Sequence, residues 1–172
     1  LALYPMPLLV IGTMVDGKVN WLLARHSGII GHDRVMVSLA KLHYTNKGIK
    51  DTKILSINLV NEEMLKKADY VGSVSGSKID KSDVFEYHIG DSGAPIINNA
   101  PVVMECRVEN NYETDTFDNF IMTIDNTYVQ EENLDEQGKI DYTKFSPVLF
   151  EFPKYTYLRT GDTIGNCLRL DK

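Results

Sequence analysis

The chain has 172 residues, 43% of them hydrophobic and 24% charged, so it falls in the ~100–200 residues usual for one domain and can bury roughly 70% of its unfolded surface without a metal or disulfide staple. Its net charge of −6 argues against a nucleic-acid partner, which asks for a basic face. No apolar run nears the ~18–20 residues of a membrane span. The expectation is one domain over residues 1–172 with neither a membrane nor a nucleic-acid partner.

Leu8 to Val15 is a rich β run, and Asp16-Gly17 is the dipeptide preferred by a two-residue type I′ hairpin. Lys18 to Leu23 returns as the partner strand. Gly28, Gly31 and His32-Asp33-Arg34 break any regular pattern and predict a loop before the next strand, Val35 to Leu39. Thr45 is expected to be a helix N-cap. Ile54 to Val60 alternates, with Leu55, Ile57 and Leu59 on one face and Ser56 and Asn58 on the other.

Asn61 is expected to cap a second helix, with Glu62 and Glu63 in its first turn, Lys66 and Lys67 further on, and Gly72 closing it. Ser73 to Ser82 reads as an exposed connection. Pro101 to Glu109, Phe120 to Val129 and Val148 to Phe152 are further strands, the last two separated by the acidic run Glu131 to Glu136. Many short strands, few short helices and no βαβ alternation point to a mainly β, antiparallel barrel, not a doubly wound sheet.

Cys106 and Cys167 form neither a CxxC pair nor a zinc spacing. A disulfide between them and two reduced thiols both stay open; the reduced reading, with no charged start or cleavage site of a signal peptide in residues 1–12, gives the expectation of a cytoplasmic chain. His26, His32, His43 and His88 show no metal-binding spacing.

The stretch from Asp16 to Thr45 gathers imidazoles, a guanidinium, hydroxyls and a helix start, a set suited to an anionic, partly aromatic ligand. It also carries a resemblance. Tyr4-Pro5-Met6-Pro7, Ile11-Gly12-Thr13, Asp16-Gly17-Lys18-Val19-Asn20, Gly28-Ile29, Val35 to Leu39 and His43-Tyr44-Thr45 follow in order. So do Ile57-Asn58-Leu59, Asp69-Tyr70 with Gly72, Ser75-Gly76 with Lys78, Asp80-Lys81, Ala100-Pro101 and Glu105-Cys106. In order and spacing these resemble the flavin reductase-like family of FMN-binding split barrels, its flavoredoxin branch in particular.

The resemblance implies a mainly β, FMN-binding split β-barrel, Greek-key and antiparallel with short flanking helices, that pairs into a homodimer, with FMN at or near the subunit interface. It implies an FMN oxidoreductase, either an NAD(P)H-dependent flavin reductase or a flavoredoxin-like electron carrier with a redox partner protein. Thr45 and the backbone after it, with Lys41, Arg25, Lys78 and Lys81, are expected at the phosphate. Asn20, Trp21, Ser38, Leu39 and Asn58 are expected at the isoalloxazine. Leu23, Ala24, His26, Ser27, Ala40, His43, Ser75 and Gly76 complete the expected cofactor-binding set. No general acid or base is expected, because the flavin itself carries the chemistry. No GxGxxG is present, so a nicotinamide would bind without a Rossmann module.

The chain departs from the family at Leu23, Arg25 and His26, where a small or hydroxyl residue and an aromatic are usual. It also has His32-Asp33-Arg34 in place of paired prolines. A non-catalytic cofactor-binding protein of the same fold fits those departures. A hydrolase is the remaining alternative: Gly90-Asp91-Ser92-Gly93-Ala94-Pro95 resembles the nucleophile loop of chymotrypsin-like serine proteases, with His26 upstream. Ser92 sits too near the middle of the chain for two preceding barrels, and such a loop arises readily as an ordinary turn.

Overall fold

The computed structural model describes residues 1–170. In chain order the elements are β1 (Met6–Pro7), β2 (Leu9–Val15), β3 (Lys18–Ala24), β4 (Ser27–Ile29), β5 (Arg34–Ala40), α1 (Thr45–Thr52), β6 (Ile54–Leu59) and α2 (Leu65–Ser73). They continue with β7 (Tyr87–Ile89), β8 (Pro95–Ile97), β9 (Val102–Glu113), β10 (Phe117–Val129), a 3-10 turn (Glu131–Asn133), α3 (Tyr142–Phe145), β11 (Val148–Glu151) and β12 (Thr156–Arg159).

The β2–β3 hairpin turns at Asp16 and Gly17 with φ of 51° and 79°, the two positive values that the Asp-Gly dipeptide tolerates and a type I′ turn needs. This hairpin begins a seven-stranded antiparallel sheet of order β3-β2-β6-β9-β10-β5-β4. The sheet curls, helped by register shifts in β10 at Ile121/Met122 and Ile124/Asn126. Its edges β3 and β4 are not hydrogen-bonded to one another, although they follow each other in the chain. Arg25-His26 is therefore the two-residue step that crosses the split, and the His26 carbonyl accepts the Ser38 N–H (3.0 Å) to join β5.

Strand alternation divides the apolar residues into two cores. Leu9, Ile11, Leu22, Val37, Leu39, Leu55, Ile57, Cys106 and Phe120 point inward and fill the barrel. Leu8, Val10, Trp21, Leu23 and Val103 point outward and are covered by Ala68 and Val71 of α2, by Ile96 and Ile97 of the β7–β8 hairpin, and by Phe150 of β11. Each such side chain contributes roughly 1.5–3 kcal/mol by leaving water. The small β1-β11-β12 sheet stands beside this outer layer. No helix among the described residues is long and apolar enough to cross a membrane.

Two helix expectations need correction. Thr45 is the first residue of α1, not its cap: Tyr44 holds that place and makes no side-chain cap bond. Asn61 does accept the Met64 N–H (3.1 Å), but it closes a turn, so α2 starts only at Leu65 with no acid in its first turn and with Gly72 inside it. The reason is a close approach. A Cβ on Gly72 would lie 2.8 Å from Leu23 Cβ, so glycine lets α2 continue against β3. The hairpin β7–β8 and strand β12 carry no strong alternation and were not expected from the pattern.

Candidate functional site

The end of β3, the start of α1, the end of α2 and the loop that follows α2 converge on one cavity of about 240 Å³, lined by His43, Thr45, Val74, Ser75, Gly76 and Lys81 among others. Asn20 on β3 stands behind it, donating Nδ2–H to Thr45 Oγ1 across 2.7 Å. Because that oxygen accepts from Asn20, the Thr45 hydroxyl proton is left to point at a ligand. Gly76 packs directly on Asn20 Oδ1, with no room for a Cβ. The amides of Asn46 and Lys47 bond the carbonyls of His43 and Tyr44 (3.1 and 3.2 Å), so the helix start offers fewer free donors than a fully open N-terminus would.

Two salt links hold these pieces in place. Asp16 at the hairpin tip accepts from Tyr44 Oη (2.9 Å) and Lys47 Nζ (2.5 Å), tying the hairpin to α1. Lys18 Nζ meets Asp80 (3.0 Å), tying β3 to the loop after α2. Both are exposed and worth little individually; their value is geometric.

Lys81, expected in an exposed connection, is 3% exposed. Its ammonium donates to the carbonyls of Val71 (2.9 Å) and Val74 (3.2 Å) at the C-terminal end of α2, where a cation suits the helix dipole. Burial lowers its pKa to about 8. One of its three ammonium hydrogens remains for the cavity. Desolvation, then the positive charges of Lys81 and Arg25, holds the His43 pKa below its ordinary value. Three nitrogenous groups thus gather here, and none of them forms an ion pair with a carboxylate among the described residues.

Arg25 occupies the step across the split. Its guanidinium lies 4.8 Å from the Phe150 ring centroid, and its buried Nε has no hydrogen-bond partner among the described residues. His26 beside it bonds Tyr4 Oη through Nε2 (2.8 Å), and burial followed by the Arg25 charge keeps its pKa low. Sequence reasoning missed the neighbouring Tyr157–Asp69 pair (2.5 Å), because those residues lie 88 positions apart and Tyr157 stands in no motif.

Other expected site residues lie elsewhere. Trp21 is fully buried against Phe85 and Tyr87, and Leu23, Ala24 and Leu39 are core, so none offers side-chain surface to a ligand. Asn58 is buried and fully engaged, donating to the Val10 carbonyl and Ser56 Oγ and accepting from the Ile97 N–H. Ser38 donates to Asn119 (2.7 Å), and Lys41 pairs with Glu113 (3.0 Å). Ala40 serves through its carbonyl, which accepts from Asn46 Nδ2 and the His43 N–H. Ser27 lines a different, apolar pocket, and Lys78 is exposed on its loop.

The Ser92 loop is the β7–β8 hairpin turn. Its Ser92 and Ala94 N–H groups, the donors an oxyanion would need, are given to the Glu105 carboxylate (3.0 and 3.4 Å), and Ser92 Oγ donates to Asp125 (3.1 Å). Glu105 is wholly buried and also accepts from Asn126 and Tyr128. No histidine bonds Ser92. The arrangement anchors a hairpin and makes no nucleophile.

Comparison with known proteins identifies the family and the fold. The family model described as "Flavin reductase like domain" matches residues 1–159. Among solved structures, the chain is 36% identical to flavoredoxin from Methanosarcina acetivorans, with a TM-score of 0.94, covering 99% of this chain and 92% of that one. It is 28% identical to flavoredoxin of Desulfovibrio vulgaris (Miyazaki F), with a TM-score of 0.91, covering 98% and 94%. An FMN-binding protein from Thermus thermophilus, 22% identical over 96% of this chain and 92% of that one with a TM-score of 0.85, shares the fold. No curated protein sequence matches.

Proposed function

The chain belongs to the flavin reductase like domain family, and on that premise we propose that it is an FMN-binding oxidoreductase acting in electron transfer, with flavoredoxin as a functional model. The observation that carries the reading is the cavity at the start of α1, where Thr45, His43 and Lys81 converge with Arg25 close by and no carboxylate among the described residues pairs with them. That donor set fits a phosphate. The unpartnered Nε of Arg25 fits a further acceptor at the split.

In this reading Thr45, His43, Lys81 and the Ser75–Gly76 loop hold the phosphate end, while Arg25 and the β3 backbone face the ring. The flavin, when bound, supplies the electron chemistry. The side chains bind, orient and balance charge. The barrel interior is filled by its own core, so the ring lies outside the barrel. A cavity of about 240 Å³ falls below the ~300–1,000 Å³ usual for a small-molecule site. We propose a homodimer in which a second subunit covers the ring, each chain acting as one domain. Two free cysteines, one buried and one exposed, suit a reducing compartment, and we place the protein in the cytoplasm.

A titration of the purified protein with FMN, read by visible absorption, tests the reading: the bands should perturb and saturate at one per subunit. Assays with NADH and NADPH then separate the two forms of the activity. Nicotinamide oxidation identifies a flavin reductase. Its absence, with bound flavin still reducible by dithionite, identifies an electron carrier, which the 36% identity to a flavoredoxin favours.

A further inference from the structure

A second cavity, of about 650 Å³, opens at the mouth of the barrel. Leu9, Leu59 and Met104 form its floor, Leu149 and Ile29 its walls, and Thr160 its rim. Ile29 is 86% exposed, so the wall it forms stands uncovered. From that rim the chain continues into a segment that carries three apolar side chains among polar ones. Thr160 Oγ1 donates to the Pro147 carbonyl (2.6 Å), which fixes the point of departure. Beyond it, Ile164, Leu168 and Leu170 are 99%, 90% and 77% exposed.

An apolar cavity and a segment with exposed apolar side chains, both uncovered, are thus joined at one residue. Within its own chain the segment does not enter the cavity, whose lining stops at Thr160. A turn closed by the Arg169 N–H on the Asn166 carbonyl (3.2 Å) instead gathers Leu168 and Leu170 outside it. An isologous pair would let them meet, since in such a pair each copy gives what the other receives.

We propose that the barrel-mouth cavity receives residues 162–170 of a second copy of this chain, the two copies exchanging their C-terminal segments. The proposal rests on the homodimer reading above. Four residues beyond Thr160 span at most ~14 Å and eight span ~28 Å, which bounds how far the segment extends from its own rim. Seating Ile164 and Leu168 removes from water the apolar surface that the isolated chain leaves exposed.

The experiment uses the FMN-loaded full chain. Cys167 lies between Ile164 and Leu168 and is exposed, whereas Cys106 is buried. The Ile29→Cys variant places a thiol on the cavity wall at an exposed position, and mild oxidation followed by a non-reducing gel reads the link. A covalent dimer that disappears when Cys167→Ser is added, and that the unsubstituted chain does not form, supports the exchange. A link formed within one chain overturns it in favour of the segment covering its own cavity. A sedimenting dimer with no link overturns the exchange and leaves the homodimer standing, while a monomer removes both. Ile164→Asp with Leu168→Asp should weaken the dimer at least about a hundredfold, ~2.7 kcal/mol; an unchanged dissociation constant also overturns the proposal.

Discussion

Asn20 and Thr45, 25 residues apart, share one buried hydrogen bond of 2.7 Å that joins the middle of β3 to the first residue of α1. It sets the orientation of the Thr45 hydroxyl and, through Gly76 packed on Asn20, the approach of the loop after α2.

Replacing Thr45 by Val keeps the shape and removes the acceptor. The Asn20 N–H is then buried without a partner, which costs about 1–3 kcal/mol, read as a lower urea midpoint of the flavin-free protein. FMN affinity should fall by about one to two decades as well. Thr45→Ser should recover most of both. A Val variant with unchanged affinity would remove the hydroxyl from the site.

Lys81 makes the site sensitive to alkali. Its folded pKa is about 8 against an ordinary 10.5. Between those values the unfolded chain binds a proton that the folded chain lacks, so stability rises with pH through this window. Below about pH 8 both states are charged and the full cost of burying the ammonium is felt. FMN binding should move the opposite way, weakening severalfold as the cation is lost between about pH 7.5 and 9.5. Urea denaturation and flavin titration across that range, compared with Lys81→Met, check both slopes. The Met variant should show neither.

Arg25→Ala should weaken FMN binding by about 1.5–3 kcal/mol, one to two decades, if its free Nε–H meets the cofactor. The contact with Phe150 contributes only about 0.5–1 kcal/mol at such a site, so the flavin-free variant should unfold close to the wild type. A large loss of stability with unchanged affinity would make Arg25 a packing residue. Arg25→Lys, which keeps charge but loses the planar fork, should fall between.

Glu105 and Ser92 separate anchoring from catalysis. Glu105→Ala leaves the Ser92 N–H and Tyr128 hydroxyl without their acceptor and should cost more than about 2 kcal/mol. Ser92→Ala should leave flavin binding and reduction unchanged. A phosphonylating serine probe should not label the protein at Ser92; labelling there would revive the hydrolase.

Patterns that act over a few residues were readable in advance. Asp16-Gly17 announced its turn because two successive positive φ values admit few dipeptides. The alternation of Leu55, Ile57 and Leu59 announced a strand facing a core, since a strand reverses its side chains at every step. The order of short motifs along the chain pointed to the family, and the family model agrees over residues 1–159.

The site was legible only in part. His43, Thr45, Ser75, Gly76 and Lys81 do line one cavity, but sequence placed beside them Trp21, Leu39 and Asn58, which packing turned into the core. Nothing local tells an inward strand position from one that faces a ligand, because both call for the same alternation. Lys81, expected at the phosphate from an exposed connection, became a buried helix cap, since the end of α2 that it satisfies lies seven to ten residues back along the chain.

Local sterics and side-chain period thus determined the strands, the turn and the family likeness from sequence alone. Which polar groups meet, and which of them are left unpaired, was decided by the curl of the sheet. Only that curl brings β3, α1 and the end of α2 to one side of the split, and such long-range closure leaves no signature in neighbouring residues.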